Sequence, residues 1–191
     1  HASRGMGSLV RALALGLLAS ALVSCGVGPA ATSPSPSAAA GDPLQLGLAA
    51  HTAGRLDEAV AYYFQALAKD PGNEFAYFNL GEIEHTRNHL AAADAWYRLA
   101  LNSQKDMPQA LYNLALVRQS LGDSNESASL LRRLIAIQPN NGSAHWNLGV
   151  ALRSLGQTDA ANAEFAAAQK LDARLTPPPV GGASPHPSPT R

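Results

Sequence analysis

Between residues 74 and 86 the apolar side chains Phe75, Phe78, Leu80 and Ile83 fall at helical spacings, which predicts an amphipathic helix. A break follows at Asn88, and a second run carries Ala93 and Tyr97 one turn apart, on one face of a second helix. The same pair of patterns returns every 34 residues. "AYFNLG" at 76–81 becomes "ALYNLA" at 110–115 and "AHWNLG" at 144–149.

Set out in lines of 34, the chain aligns as 40–73, 74–107, 108–141 and 142–175 with no insertion. Leu46, Leu80, Leu114 and Leu148 form one column, and Gly47, Gly81, Ala115 and Gly149 stand beside it. Gly54, Asn88, Gly122 and Gly156 form the column of the break. Glycine and asparagine are the residues that tolerate the left-handed backbone closing a helix, so Asn88 obeys the same rule as its counterparts. Ala59, Ala93, Ser127 and Ala161 precede Tyr63, Tyr97, Leu131 and Phe165 by one turn, and Ala66, Ala100, Leu134 and Ala168 close the set. On this reading the small residue lets paired helices approach and the ring fills the gap above it. Pro43 replaces the large residue that should open the first repeat, so the first helix is expected to be short.

This arrangement resembles the tetratricopeptide repeat, whose 34-residue unit carries W-x₂-L-G-x₂-Y, then A-x₃-F, then P. Leu46-Gly47, Ala59-x₃-Tyr63 and Pro71 carry the likeness in the first line, and Leu148-Gly149 with Ala161-x₃-Phe165 in the fourth. Ser127 and Leu131 depart from it in the third, as do Lys105 and Ala173 at the closing proline of the second and fourth. The resemblance implies an all-α, right-handed solenoid of four helix-turn-helix units over 42–175. Its first helices would line a concave face.

Within each repeated phrase the leucine and the small residue turn inward, so the two residues before them face another way, at about 100° per residue. By the resemblance, Leu44, Phe78, Tyr112 and Trp146 would form one stripe along the concave face, with Gln45, Asn79, Asn113 and Asn147 beside it. In the family such asparagines bond the backbone of an extended peptide, and an Asn side chain has the donors and acceptors to do so. The alternative is that the amides bond within the stack and the rings belong partly to the core. Phe75, Glu82, His85, Gln109, Leu116, Gln119, Val150 and Arg153 complete the candidate groove. Arg153 is almost the only cation among them, so the expected ligand is a largely neutral aromatic or aliphatic segment.

The ends read differently. Arg4 and Arg11 precede the uncharged, mostly apolar run 12–23, which describes an export signal over 1–24. Leu22-Val23-Ser24-Cys25 resembles a bacterial lipobox, which implies acylation of the Cys25 thiol and cleavage before it. The plainer readings are an ordinary secretory peptide or an uncleaved anchor. In either of the membrane-bound cases the basic N-terminal flank directs the domain away from the cytoplasm. Gly26, and not an aspartate, follows the cysteine, which by analogy with enteric sorting favours the outer membrane. Met6 is expected to be the true start, leaving 1–5 ahead of it. Residues 25–41 have no periodicity and few large side chains, so they read as an unfolded tether. The proline-rich 176–191 cannot form a covering helix and reads as a disordered tail.

Composition narrows the function. Acidic and basic residues balance to a net charge of +0, which gives no reason to expect nucleic acid. With one cysteine, no intrachain disulfide and no site of several thiolates can form. No G-x-S-x-G, G-x-x-x-x-G-K-[ST] or H-E-x-x-H is present. His85 and His89 straddle the break at Asn88 and read as histidines of a turn, so no metal and no other cofactor is expected. The chain is therefore expected to be a non-enzymatic interaction scaffold of the cell envelope. Its partner would be a protein or peptide, with no small-molecule substrate and a lipid anchor in the membrane. An accessory subunit of one stable complex is the alternative, and an enzyme a distant one.

Overall fold

The computed structural model describes residues 41–178. The signal segment 1–24, Cys25, the tether up to residue 40 and the tail beyond Pro178 lie outside the described residues. Eight α-helices follow one another: α1 Pro43–Thr52, α2 Leu56–Lys69, α3 Glu74–Thr86, α4 Leu90–Ser103, α5 Pro108–Ser120, α6 Ser124–Ile137, α7 Gly142–Ser154 and α8 Thr158–Leu171. Among the described residues there is no strand, and no helix is long and apolar enough to cross a membrane.

Each odd helix forms an antiparallel hairpin with the even helix after it, and the hairpins stack in order along the chain. Odd helices also touch odd helices, α3 against α5 and α5 against α7, which puts them together on one side of the stack. Helix α1 has 10 residues where α3, α5 and α7 have 13, and Pro43 is its first residue. That agrees with the short first helix expected from a proline at this place.

The breaks are alike at the level of hydrogen bonds. Gly54, Asn88, Gly122 and Gly156 all have positive φ, from 60° at Asn88 to 84° at Gly122. Each donates its N–H to the carbonyl three residues back, and the following residue donates to the carbonyl five back, as in His89 to Glu84 at 2.8 Å. This closure satisfies two of the carbonyls a helix end leaves open. Asn73 and Asn141 accept from the backbone N–H groups of Ala76 and Ala144 at the starts of α3 and α7, both at 2.9 Å. Asp123 does the same for Glu126 at the start of α6.

The glycine column explains the packing inside each hairpin. A β-carbon added to Gly47, Gly81 or Gly149 would stand 2.6 Å from a ring carbon of Tyr63, Tyr97 or Phe165 respectively. The ring therefore lies directly against bare backbone of the facing helix. The alanine one turn before each ring is itself fully buried, and a second small residue sits across the hairpin against the ring. In the third unit Ala115 carries a β-carbon, and the facing column holds Leu131 in place of a ring. Ser127 is buried in the same unit, and its hydroxyl has no hydrogen-bond partner among the described residues.

Buried side chains form a first cluster around Ala50, Tyr63, Leu80 and Ile83, and a larger one from Ala93 to Ala168. Tyr77 and Trp96 stack across the second hairpin with ring centroids 6.1 Å apart. Polar groups join the second and third units. Arg98 pairs with Asp94 and Glu126, while Arg118 pairs with Asp94, Asp123 and Glu126.

After α8 the chain reverses. Asp172 accepts the N–H of Arg174 at 3.0 Å and pairs with its guanidinium at 2.8 Å. These two groups, the side chain first, hold the Asp172 carboxyl down to about 2. Leu175 then packs over Gly142 at the start of α7. Residues 176–178 are not helical, as expected, but they lie on α7, so the ordered fold runs three residues past the end of the fourth repeat.

Candidate peptide-binding groove

Three of the predicted rings come from equivalent places on α3, α5 and α7, one per helix. Phe78 is half-buried with its ring 5.8 Å from that of Tyr97, and Tyr112 is half-buried too. Trp146 is 6% exposed and, like Val150, belongs to the larger core cluster, edge-on to Phe165 at 6.2 Å. Leu44 is half-buried on α1, where Gln45 is exposed.

The amide stripe departs from expectation. Asn79 and Asn147 are buried, at 7% and 1% exposure, and both amides already donate within the protein. Asn79 Nδ2 donates to Phe75 O in its own helix at 2.7 Å. Asn147 Nδ2 donates to Ser143 O at 2.9 Å and to the Tyr112 hydroxyl at 3.0 Å, tying α7 to α5. Back-bonding to the carbonyl one turn earlier is open to any Asn in a helix interior, and no pattern of spacing reveals it. Asn113 remains half-buried. Two acceptors on these helices, Asn147 Oδ1 and Gln119 Oε1, are buried with no hydrogen-bond partner among the described residues.

The other candidates divide. Phe75 and Gln109 are exposed near the starts of α3 and α5, while Glu82, His85 and Leu116 are half-buried. Val150 is 3% exposed and belongs to the larger core cluster, so it is core where groove contact was expected. Burial raises the Glu82 carboxyl above its usual range. Burial also pushes the Tyr63 phenol up to about 12, with Glu82's charge adding to it. Tyr97 rises further for the same two reasons, and Asn113 moderates the rise. These phenols therefore stay protonated near neutral pH and offer no base or nucleophile.

Among the described residues no group of three His, Cys, Asp or Glu side chains gathers to hold a metal ion. His89 Nδ1 lies 2.8 Å from Glu84 Oε2, and His85 meets Tyr97 edge-on at 6.4 Å.

At the α7 end a non-helical stretch of the chain's own backbone lies against the candidate groove. Trp146 Nε1 donates to Thr176 O at 3.2 Å, and Arg153 donates to Pro178 O at 2.8 Å. The Arg153 guanidinium also sits 5.2 Å over the Phe165 ring, and Pro178 is buried. Phe165, Thr176 and Pro178 were not among the predicted site residues. The signal for them was the run Thr-Pro-Pro-Pro directly after the last repeat, which the prolines made easy to dismiss as tail.

The family model of the tetratricopeptide repeat matches residues 44–110 and 112–175. Among solved structures the chain is similar to a crystal structure of MamA, with 23% identity, covering 69% of this chain and 77% of that one at a TM-score of 0.64. It is similar also to YrrB, described as a TPR protein with an unusual peptide-binding site, with 23% identity, covering 69% of this chain and 68% of that one at a TM-score of 0.65. No curated protein matches the sequence significantly. With eight helices among the described residues and the family's model matched over more than half the length, the chain belongs to the tetratricopeptide repeat family.

Proposed function

We propose that this chain is a non-enzymatic scaffold of the bacterial cell envelope that grips an extended, largely neutral segment of a partner protein along its odd helices. The observation that carries the reading is the ring ladder Phe78, Tyr112 and Trp146, accompanied by the unpaired buried acceptors Asn147 Oδ1 and Gln119 Oε1. A buried acceptor without a donor is costly, and the N–H groups of an extended peptide are donors of the kind that would satisfy it. YrrB's description as a peptide-binding member of the fold supports the same reading.

The test is titration of a co-purified partner against Tyr112→Ala and Phe78→Ala, with the exposed α8 residue Lys170→Ala as control. Loss of a central aromatic anchor costs about 2 kcal/mol, roughly thirtyfold in affinity. Affinity unchanged in both aromatic variants, with melting temperatures showing them folded, would move the site elsewhere.

The envelope assignment rests on Arg4, Arg11, the apolar run 12–23 and Leu22-Val23-Ser24-Cys25. Acyl chains on Cys25 would hold the domain at a periplasmic face, each buried CH₂ contributing about 0.8 kcal/mol. Cys25→Ala should abolish incorporation of labelled palmitate; undiminished labelling would remove the anchor from the proposal.

A further inference from the structure

Thr176, Pro177 and Pro178 are each followed by proline. A residue before proline is confined to the β and polyproline II regions, and proline itself fixes φ near −65°. The sequence thus favours a short polyproline II stretch here. Such a helix makes no internal hydrogen bonds, so its carbonyls stand free to accept from outside. On α7 two of them do, from the Trp146 indole and from Arg153. Trp146 and Arg153 are seven residues apart, two turns on one face of α7. Phe165 stands behind both, edge-on to the indole and under the guanidinium. An aromatic wall with an indole donor and a second donor at a neighbouring carbonyl is the chemistry that recognises proline-rich segments.

We infer that the α7 end of the groove is a polyproline-recognition site whose resident occupant is this chain's own Thr176–Pro178. A partner's segment reaches Trp146 only by displacing it. The inference rests on the groove reading above and adds to it the chemical class of ligand and a competitor in cis. The Asp172–Arg174 turn and Leu175 deliver the occupant, because they fix where the chain leaves α8. Tethered by so short a link, the occupant is present at an effective concentration of about millimolar, enough to mask a site of moderate affinity.

The experiment uses the full chain and a synthetic peptide of residues 176–191. A variant with Pro177, Pro178 and Pro179 replaced by glycine keeps the tail's length but removes its stiffness. It should bind the peptide at least about tenfold more tightly than the parent does, and the Trp146 indole N–H resonance should move toward that of free indole until peptide is added. In that background Trp146→Phe keeps a ring but lacks the N–H, and Arg153→Gln removes the guanidinium; with melting temperatures showing both folded, each should weaken peptide binding severalfold. Equal affinities of parent and triple-glycine variant, or no binding to the variant, would reduce the segment to a fixed strap. A concentration-dependent dimer of the parent that is lost in the variant would instead place the tail on a second copy and overturn occupancy in cis. If the peptide behaves as expected while a captured partner ignores Tyr112→Ala and Phe78→Ala, the groove reading fails and this inference stands; the reverse pattern sinks only this inference.

Discussion

The Tyr97 ring lies so close to Gly81 that a single methyl group there would meet ring carbons at 2.6 Å. Both residues are buried, so the clash cannot be relieved into solvent. Gly81→Ala should cost about 1–3 kcal/mol, the usual range for overpacking. Tyr97→Leu should reduce that cost, since Leu131 already faces Ala115 in the third unit. A double-mutant cycle read by chemical denaturation should give a coupling of roughly 0.5–3 kcal/mol. Additive costs would mean the glycine answers to something other than the ring. The columns themselves were legible in the sequence, because each is a repeated residue type at a fixed interval. Their pairing across the hairpin was not, because periodicity places residues on a face and says nothing of which face opposes it.

Helix ends were the most legible elements. Gly54, Asn88, Gly122 and Gly156 announced four closures of one kind, since only a few residues accept that backbone and all four positions hold one. The odd helices were harder. Asn147 reads the same from sequence whether its amide faces a ligand or, as observed, binds Ser143 and Tyr112. The start of α6 allows a test by pH. Asp123 accepts the Glu126 N–H and pairs with Arg118, and these contacts, the backbone one first, lower its carboxyl below the usual range. The charged form is the one favoured in the folded state. Its contribution is therefore complete above an ordinary Asp value of about 4, and it is lost as pH falls through the lower folded value. Asp123→Asn keeps a capping oxygen but does not titrate. The melting temperatures of parent and variant should differ at pH 6 and converge as pH is lowered toward 2, whereas a gap independent of pH would show that the charge is not what matters.

Stability in a stack of this kind is close to a sum over units and their neighbours. Helix α1 is the shortest and lies at one end, and the cluster it belongs to is the smaller of the two. Helices α4 to α6 have neighbours on both sides and carry the arginine–carboxylate network between the second and third units. Amide hydrogen exchange should accordingly be fastest in α1 and slowest in α4–α6, and uniform protection along the chain would contradict unit-by-unit stability. At this scale the four-unit order was readable at once from the period. The docking of Thr176–Pro178 was not, because it depends on where the turn at Asp172 aims the chain, and that is settled by packing against α7.

The fit between backbone and ring also constrains how such repeats diverge after duplication. Glycine facing an aromatic and alanine facing leucine are both workable, yet a lineage moving between them by single changes must pass through a worse state. If the methyl is gained first, it strikes the ring; if the ring is lost first, it leaves a hole that its surroundings fill only in part. The third unit, with Ala115 and Leu131, has made that crossing or never needed to, and the other three remain on the far bank. Substitution records of related stacks should therefore show the two positions changing together.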